Sequence, residues 1–191
     1  VLETKIDIQD VKQIKINPPL AFPDKVEEIS EILSKAQKPV LVVGGQIHSS
    51  SSARSLVKLV ADKHNLPVLC TYEHQDIVSH NNIHYAGELG LRPPEPVRKN
   101  ALEADVVLVV GHRFNGVPNM AYKFPSTNQT FIHVIPDPNS VGKIFRTDHA
   151  IVADCEDFLK QLSLIGDEKT INKRNEWVNL CHERYLNNEA T

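Results

Sequence analysis

A chain of 191 residues, 41% of them hydrophobic, is long enough for one full core with extra arms and short for two ordinary domains. Its 21 Lys and Arg against 24 Asp and Glu leave a net charge of −3 with no basic stripe, which excludes the usual footprints for nucleic acid and for an anionic membrane surface. The longest apolar runs, residues 40–43 and 106–110, are too short to cross a bilayer, no signal-peptide pattern opens the chain, and Cys70, Cys155 and Cys181 lack metal-like spacing; a cytoplasmic protein with reduced thiols and a small-molecule ligand is expected.

Residues 1–23 alternate loosely between apolar and polar and contain Asn17-Pro-Pro-Leu20, so they read as a linker arm lying across a surface. The chain begins at Val1 within this connector, the reading expected of a piece of something larger. From Asp24 to Ala36, Val26, Ile29, Ile32, Leu33 and Ala36 share one helical face, with Asp24 placed to cap and Pro39 to stop the helix. Pro39-Val-Leu-Val-Val-Gly-Gly45 then has the β-branched richness of a strand buried on both faces, and Ala53, Leu56, Val57 and Val60 have helical spacing. Two readings fit the turn between them. Gly44 and Gly45 with the Ser49 to Ser52 run form either a phosphate cradle or a tight strand-to-helix turn whose serines cap the helix, and Gln46 stands where a third small residue would help a cradle.

Leu66-Pro-Val-Leu-Cys-Thr71 is a second strand, followed by a polar, His-rich stretch over 72–82 and a short third strand over 83–87. A helix entered through prolines is expected over 94–104. Ala104-Asp-Val-Val-Leu-Val-Val-Gly111 repeats the earlier pattern of a buried strand closed by glycine. Strands follow at 130–135 and 150–153, and Asp154 with Asp157 suggests a capping box opening a helix with Phe158, Leu159, Leu162 and Ile165 inward. A last helix over 167–188 carries Ile171, Trp177, Val178, Cys181 and Tyr185 on one side. This alternation predicts an α/β domain over 24–165, a Rossmann-like, mainly parallel sheet of about six strands with helices on both faces, followed by a C-terminal helix over 166–191.

The order of Lys38-Pro-Val-Leu-Val-Val-Gly-Gly45, Leu66-Pro-Val68 with Thr71, Gly87 and Gly90, residues 104–114, His133-Val-Ile-Pro-Asp-Pro-Asn-Ser-Val-Gly-Lys143 and Val152-Ala-Asp154 resembles the central domain of thiamine-diphosphate-dependent enzymes, in the acetolactate synthase and oxalyl-CoA decarboxylase branch. The resemblance implies a DHS-like variant of the fold. It also implies that N-terminal and C-terminal domains of the same polypeptide hold thiamine diphosphate and Mg2+, that the intact protein is a homo-oligomer, and that this domain alone is not catalytic. Relatives of this kind bind FAD, ADP or nothing here. By position, Gly44, Gly45 and Gln46 would approach a nucleotide's phosphates or ribityl chain, Thr71 to Glu73 with Gly87 and Gly90 would line the same cleft, Gly111, Arg113 and Asn115 would flank the flavin, and Asp137 and Asp154 would stand near ribose and adenine. Arg113 is the charged residue expected to matter, because a guanidinium meets phosphate bidentately; its plainer role is a surface salt bridge. Ile135 and Ser140 replace acids of flavin-binding relatives, Leu89 a His and Gln46 a Gly. Losing one charge-assisted hydrogen bond to ribose removes roughly 1.5 to 3 kcal/mol.

Gly166-Asp-Glu168 with Asn187-Asn188 imitates the diphosphate motif of the missing domain, but Glu168 puts a carboxylate where phosphate must approach, the spacing is too short and the segment reads as helix. His80 and His84 have i, i+4 spacing around a poor helix interior and read as solvent-exposed loop histidines. The serine run has no nucleophile elbow, and Cys70 reads as inert packing. A free-standing Rossmann-like nucleotide-binding module, or a degenerate structural domain, is the alternative to the thiamine-diphosphate reading.

Overall fold

Two strands buried on both faces, β1 (Pro39–Val43) and β4 (Val106–Val110), pair in parallel along their whole length, from Pro39 beside Val106 to Val43 beside Val110. The computed structural model describes residues 17–166 and 174–189. Outside β1 lie β2 (Val68–Thr71) and then β3 (Tyr85–Leu89); outside β4 lie β5 (Thr130–Val134) and β6 (His149–Ile151). All neighbours are parallel and the order is β3-β2-β1-β4-β5-β6. The predicted six-stranded Rossmann-like sheet is thus the observed one.

Alternation along the strands divides the core. Leu41, Val43, Leu108 and Val110 face α1 (Pro23–Lys35), α3 (Ser51–His64) and α5 (Cys155–Leu164), while Val40, Val42, Val107 and Val109 face α4 (Glu95–Leu102) and α6 (Asn175–Glu189). Between β1 and α3 runs a single turn of helix, α2 (Gly45–His48). Ser50, extended at φ −122° and ψ 124°, separates it from α3.

Several local expectations shift. Asp24 is not a cap: Pro23 takes the first helical position and the Phe22 carbonyl accepts from Lys25 and Val26, leaving Asp24 to meet the helix dipole in the first turn. Asp154 does cap α5 by accepting from the Asp157 N–H, but Asp157 does not reciprocate. Its carboxylate accepts instead from the Ala21 N–H and the Gln161 amide, pinning the arm to α5. β3 starts at Tyr85, not at Ile83, because Asn82 closes an Asx turn onto the His84 N–H. The β4–β5 connection carries no helix; Phe114, Phe124 and Phe131 fill that place, with ring centroids 5.6 and 5.7 Å from Phe114. The last helix buries Trp177, Val178, Cys181 and Tyr185 as expected, whereas Ile171 lies outside the described residues.

Just before α6, Arg174 is 1% exposed. Its guanidinium donates to the carbonyls of Leu33, Ala36 and His64, at the C-terminal ends of α1 and α3. Unsatisfied carbonyls and the negative ends of two helix dipoles replace a carboxylate partner. Burial pulls its pKa down to about 10, so it stays charged at neutral pH. Replacing Arg174 with Met takes the side-chain donor from those carbonyls and should cost about 3 kcal/mol in urea unfolding. Lys, a point donor without the fork, should recover only part of the loss.

Candidate functional site

The strand order reverses between β1 and β4, the place where open α/β sheets present a crevice. The glycines that close these strands lie on one rim, as their sequence pattern requires: the Gly44 N–H donates to Val110 O at 3.2 Å and the Gln46 N–H to Gly111 O at 3.1 Å. Those bonds zip the two turns together. Gly111 has φ +76°, and a side chain there would meet Ile47 at 3.1 Å.

Imidazoles fill the space above the turn. A Cβ on Gly44 would lie 2.5 Å from the Cβ of His112, and one on Gly45 would lie 2.9 Å from His74 Nε2. Gly44 is therefore required by the close approach of His112, whereas the His74 ring tip above Gly45 can swing aside. His112 Nδ1 accepts from the Phe114 N–H at 2.8 Å, which puts the ring proton on Nε2. Burial, then the neighbouring His74 and His133, push the His112 pKa down to about 4. His133, also lowered by burial, donates Nε2–H to the His112 carbonyl at 2.8 Å. Neutral rings at pH 7 offer a phosphate no fixed charge.

The serine run follows its capping reading. Ser50 accepts from the Ala53 N–H at 3.2 Å, and Ser50 and Ser52 donate to the Glu156 carboxylate at 2.9 and 2.6 Å. Those two bonds hold the Glu156 pKa below the usual carboxylate range. At the start of α3 the chain supplies its own anion.

The other predicted positions separate. Thr71 is buried, with Oγ1 3.2 Å from His74 Nδ1. Gly87, at φ +110°, is where Val97 of α4 packs, 2.7 Å from a hypothetical Cβ. Gly90 lines a recess of about 410 Å³ with Tyr72, Glu88 and Arg92 on the β2–β3 side. Asp154 is spent on the α5 cap. Gln46 is exposed, and its Oε1 accepts from the Cys155 thiol at 3.2 Å. Leu89 and Ile135 are core residues.

Arg113, Asn115 and Asp137 do come together. With Asn139, Ser140 and Lys143 they line a recess of about 280 Å³ at the ends of β4 and β5. Asp137 already accepts from Ser140 Oγ at 2.6 Å and the Asn139 N–H at 3.0 Å, which lowers its pKa. Among the described residues neither Arg113 nor Lys143 forms an ion pair, so the surface salt bridge is not where Arg113 is spent. Sequence reasoning gave no role to His74, His112 or Lys143; a histidine directly after the glycine that ends β4 was the available signal.

The metal and thiol questions close similarly. His84 is not the exposed loop histidine expected: it is buried because its Nδ1–H donates to the Leu66 carbonyl at 3.1 Å, while the exposed His80 turns to Tyr185 OH at 3.2 Å. No group of three or more His, Cys, Asp or Glu among the described residues is arranged to hold a metal ion. Burial raises the Cys70 thiol to about 12.

Two outcomes follow from the histidines. His64, His84, His112 and His133 all have pKa values lowered chiefly by burial, so below about pH 6.5 the unfolded chain binds more protons than the folded one. Stability should be full above that pH and fall toward pH 4, with His112 alone contributing about 3 kcal/mol of the loss. The urea midpoint against pH measures this, and His112→Asn should flatten the slope. Gly44→Ala should destabilise the domain, and adding His112→Gly, which removes the Cβ it meets, should restore part of the loss, a coupling that a double-mutant cycle reads directly.

Residues 26–162 match the family described as thiamine pyrophosphate enzyme, central domain. The acetolactate synthase large subunit of Buchnera aphidicola subsp. Schizaphis graminum is 32% identical over 154 residues, covering 80% of this chain and 27% of that protein. The glyoxylate carboligase of Escherichia coli O157:H7 is 24% identical over 189 residues, covering 96% of this chain and 32% of that protein. The crystal structure of benzoylformate decarboxylase from Polynucleobacter necessarius shares the fold, with a TM-score of 0.64 at 23% identity over 86% of this chain and 31% of that one. The chain thus spans about a third or less of the length of these relatives. A doubly wound sheet of this order, matched across nearly its whole extent, shows that the chain belongs to the family of thiamine pyrophosphate enzyme central domains.

Proposed function

We propose that this domain is the central, non-catalytic part of a thiamine-diphosphate-dependent enzyme acting on 2-oxo acids, of the acetolactate synthase and carboligase kind. The family match over residues 26–162 carries the reading, and it disfavours a free-standing nucleotide-binding module. The described residues do not fit thiamine diphosphate themselves. The glycine turn is covered by His112 and His74, and the carboxylates of Asp137 and Asp154 are committed to their own turn and helix. Flanking domains of the same polypeptide would hold that cofactor with Mg2+, and thiamine diphosphate would supply the nucleophile for decarboxylation. This domain sets the spacing between them. The imitation motif at Gly166 runs into residues 167–173, outside the described ones.

A second reading, a nucleotide clamp, has one observation in its favour: Arg113 and Lys143 face a shared recess and neither is ion-paired among the described residues. In that reading the phosphates of ADP or FAD lie on these two cations, with Asn115 and Asn139 beside them, and not on the glycine turn. The loss of acids at Ile135 and Ser140 weakens the hold on a ribose.

The intact polypeptide, given thiamine diphosphate and Mg2+, should release CO2 from pyruvate or glyoxylate, and the 191-residue chain should not. A reading frame that ends at Thr191 with no flanking domains overturns the proposal. Titration with ADP and FAD separates clamp from scaffold. A ligand at a hundredfold excess over its Kd should raise the melting temperature by about 5 to 10 °C, and Arg113→Gln should abolish the rise. No rise with either nucleotide leaves the scaffold alone.

A further inference from the structure

Asn115 and Gly116, in the connection between β4 and β5, form the only Asn-Gly pair in the chain, and both are exposed. Gly116 has φ +62°, and a Cβ there would meet nothing within 4 Å. Its N–H donates to no group among the described residues, and the Asn115 carboxamide makes no hydrogen bond among them either. A backbone nitrogen of the kind usually tied into a turn or ladder is thus left free beside an unencumbered side chain. Three other loop asparagines differ. The N–H groups that follow Asn119, Asn128 and Asn139 donate to Val117 O, Ser126 O and Asp137 O at 3.3, 3.2 and 3.1 Å.

Freedom at both groups permits one intramolecular reaction. The Gly116 nitrogen gives its proton to solvent and bonds to Asn115 Cγ, the Cγ–Nδ2 bond breaks, and the side-chain nitrogen takes a proton from solvent and leaves as ammonia. Water then opens the resulting succinimide at either carbonyl, leaving aspartate or isoaspartate, and nothing is oxidised or reduced. Glycine favours the closure because the ring needs a backbone rotation that a Cβ obstructs. The surroundings give the product its effect. Asn115 lines the recess of Arg113 and Lys143, where Asp137 is the one carboxylate. A second carboxylate there matches the two cations in number and removes the excess of positive charge.

We propose that Asn115 is a site of spontaneous deamidation, through a succinimide closed by the Gly116 nitrogen, which places a new carboxylate in the recess of Arg113 and Lys143. The reaction needs only this pair and water, so it stands or falls apart from the nucleotide reading. The 191-residue chain, kept folded in mildly alkaline buffer and sampled over time, tests it by digestion and mass spectrometry. The Asn115 peptide should gain the mass of an NH2-to-OH exchange, partly as isoaspartate, at a rate at least about tenfold that of Asn139, whose neighbouring N–H must first leave Asp137 O. Asn139 lines the same recess and serves as the internal control. Gly116→Ala should slow conversion by about tenfold, and in urea the Asn115 rate should rise by less than about threefold, because the folded loop already leaves the pair free. Conversion no faster than at Asn139, an unchanged rate in Gly116→Ala or a larger rise in urea overturns the assignment.

Discussion

The pairing of β1 with β4 is the constraint on which the rest depends. Both strands are apolar on both faces, so their peptide groups can be satisfied only by strands on each side and their side chains only by layers above and below. A parallel pair at the centre then forces crossovers, and the chain must build outward to β3, return across the middle and build outward again to β6. The reversal leaves Gly44 and Gly111 side by side on one rim. The crevice and the close approach of His112 to Gly44 follow from that adjacency.

What occupies the crevice is the protein itself. Small residues at the ends of central strands commonly admit a ligand's phosphates, and here they admit two imidazoles. The same substitution recurs at the start of α3, where the Glu156 carboxylate receives the hydroxyls of Ser50 and Ser52. It recurs again at Asp137, closed onto Ser140 and Asn139. Among the described residues of that region, the Asp137 and Glu156 carboxylates are satisfied internally, whereas Arg113, Asn115 and Lys143 keep free donors. A scaffold gains from this arrangement because its stability does not depend on a ligand being present.

The sheet and most helices were legible because their signals are local. Alternation, β-branched runs, glycine ends and the Asp154 cap can all be read within a dozen residues. Features set by distant contacts were not. Asp157 breaks the expected capping box because Ala21, far away in sequence, offers a better-placed N–H. The helix after Gly45 splits because Ser50 must reach α5 as well as cap α3. Arg113, Asn115 and Asp137 were placed by resemblance, and the fold does bring them to one recess. Gly87, Thr71 and Asp154 shared the same motif order but serve packing and capping. A glycine required by a neighbouring Val97 and a glycine required by a phosphate leave the same trace in sequence.

Arg174 was the least legible residue and bears most on the proposed scaffold role. Its acceptors on α1 lie 138 and 141 residues earlier, so no window around it could show that a buried cation would be held by helix-end carbonyls. Beyond it α6 is fastened along its length: Trp177 Nε1 donates to Pro39 O, Asn100 Nδ2 to Cys181 O, His182 Nδ1 to Tyr85 O, and Arg184 pairs with Glu103. These contacts reach β1, β3 and α4, elements on two sides of the helix. A helix tied at one end could pivot, whereas one tied at successive turns to a rigid sheet has a fixed direction. Whatever follows α6 in a longer polypeptide therefore inherits its orientation from the sheet, which is the mechanical property that a spacer between catalytic domains requires.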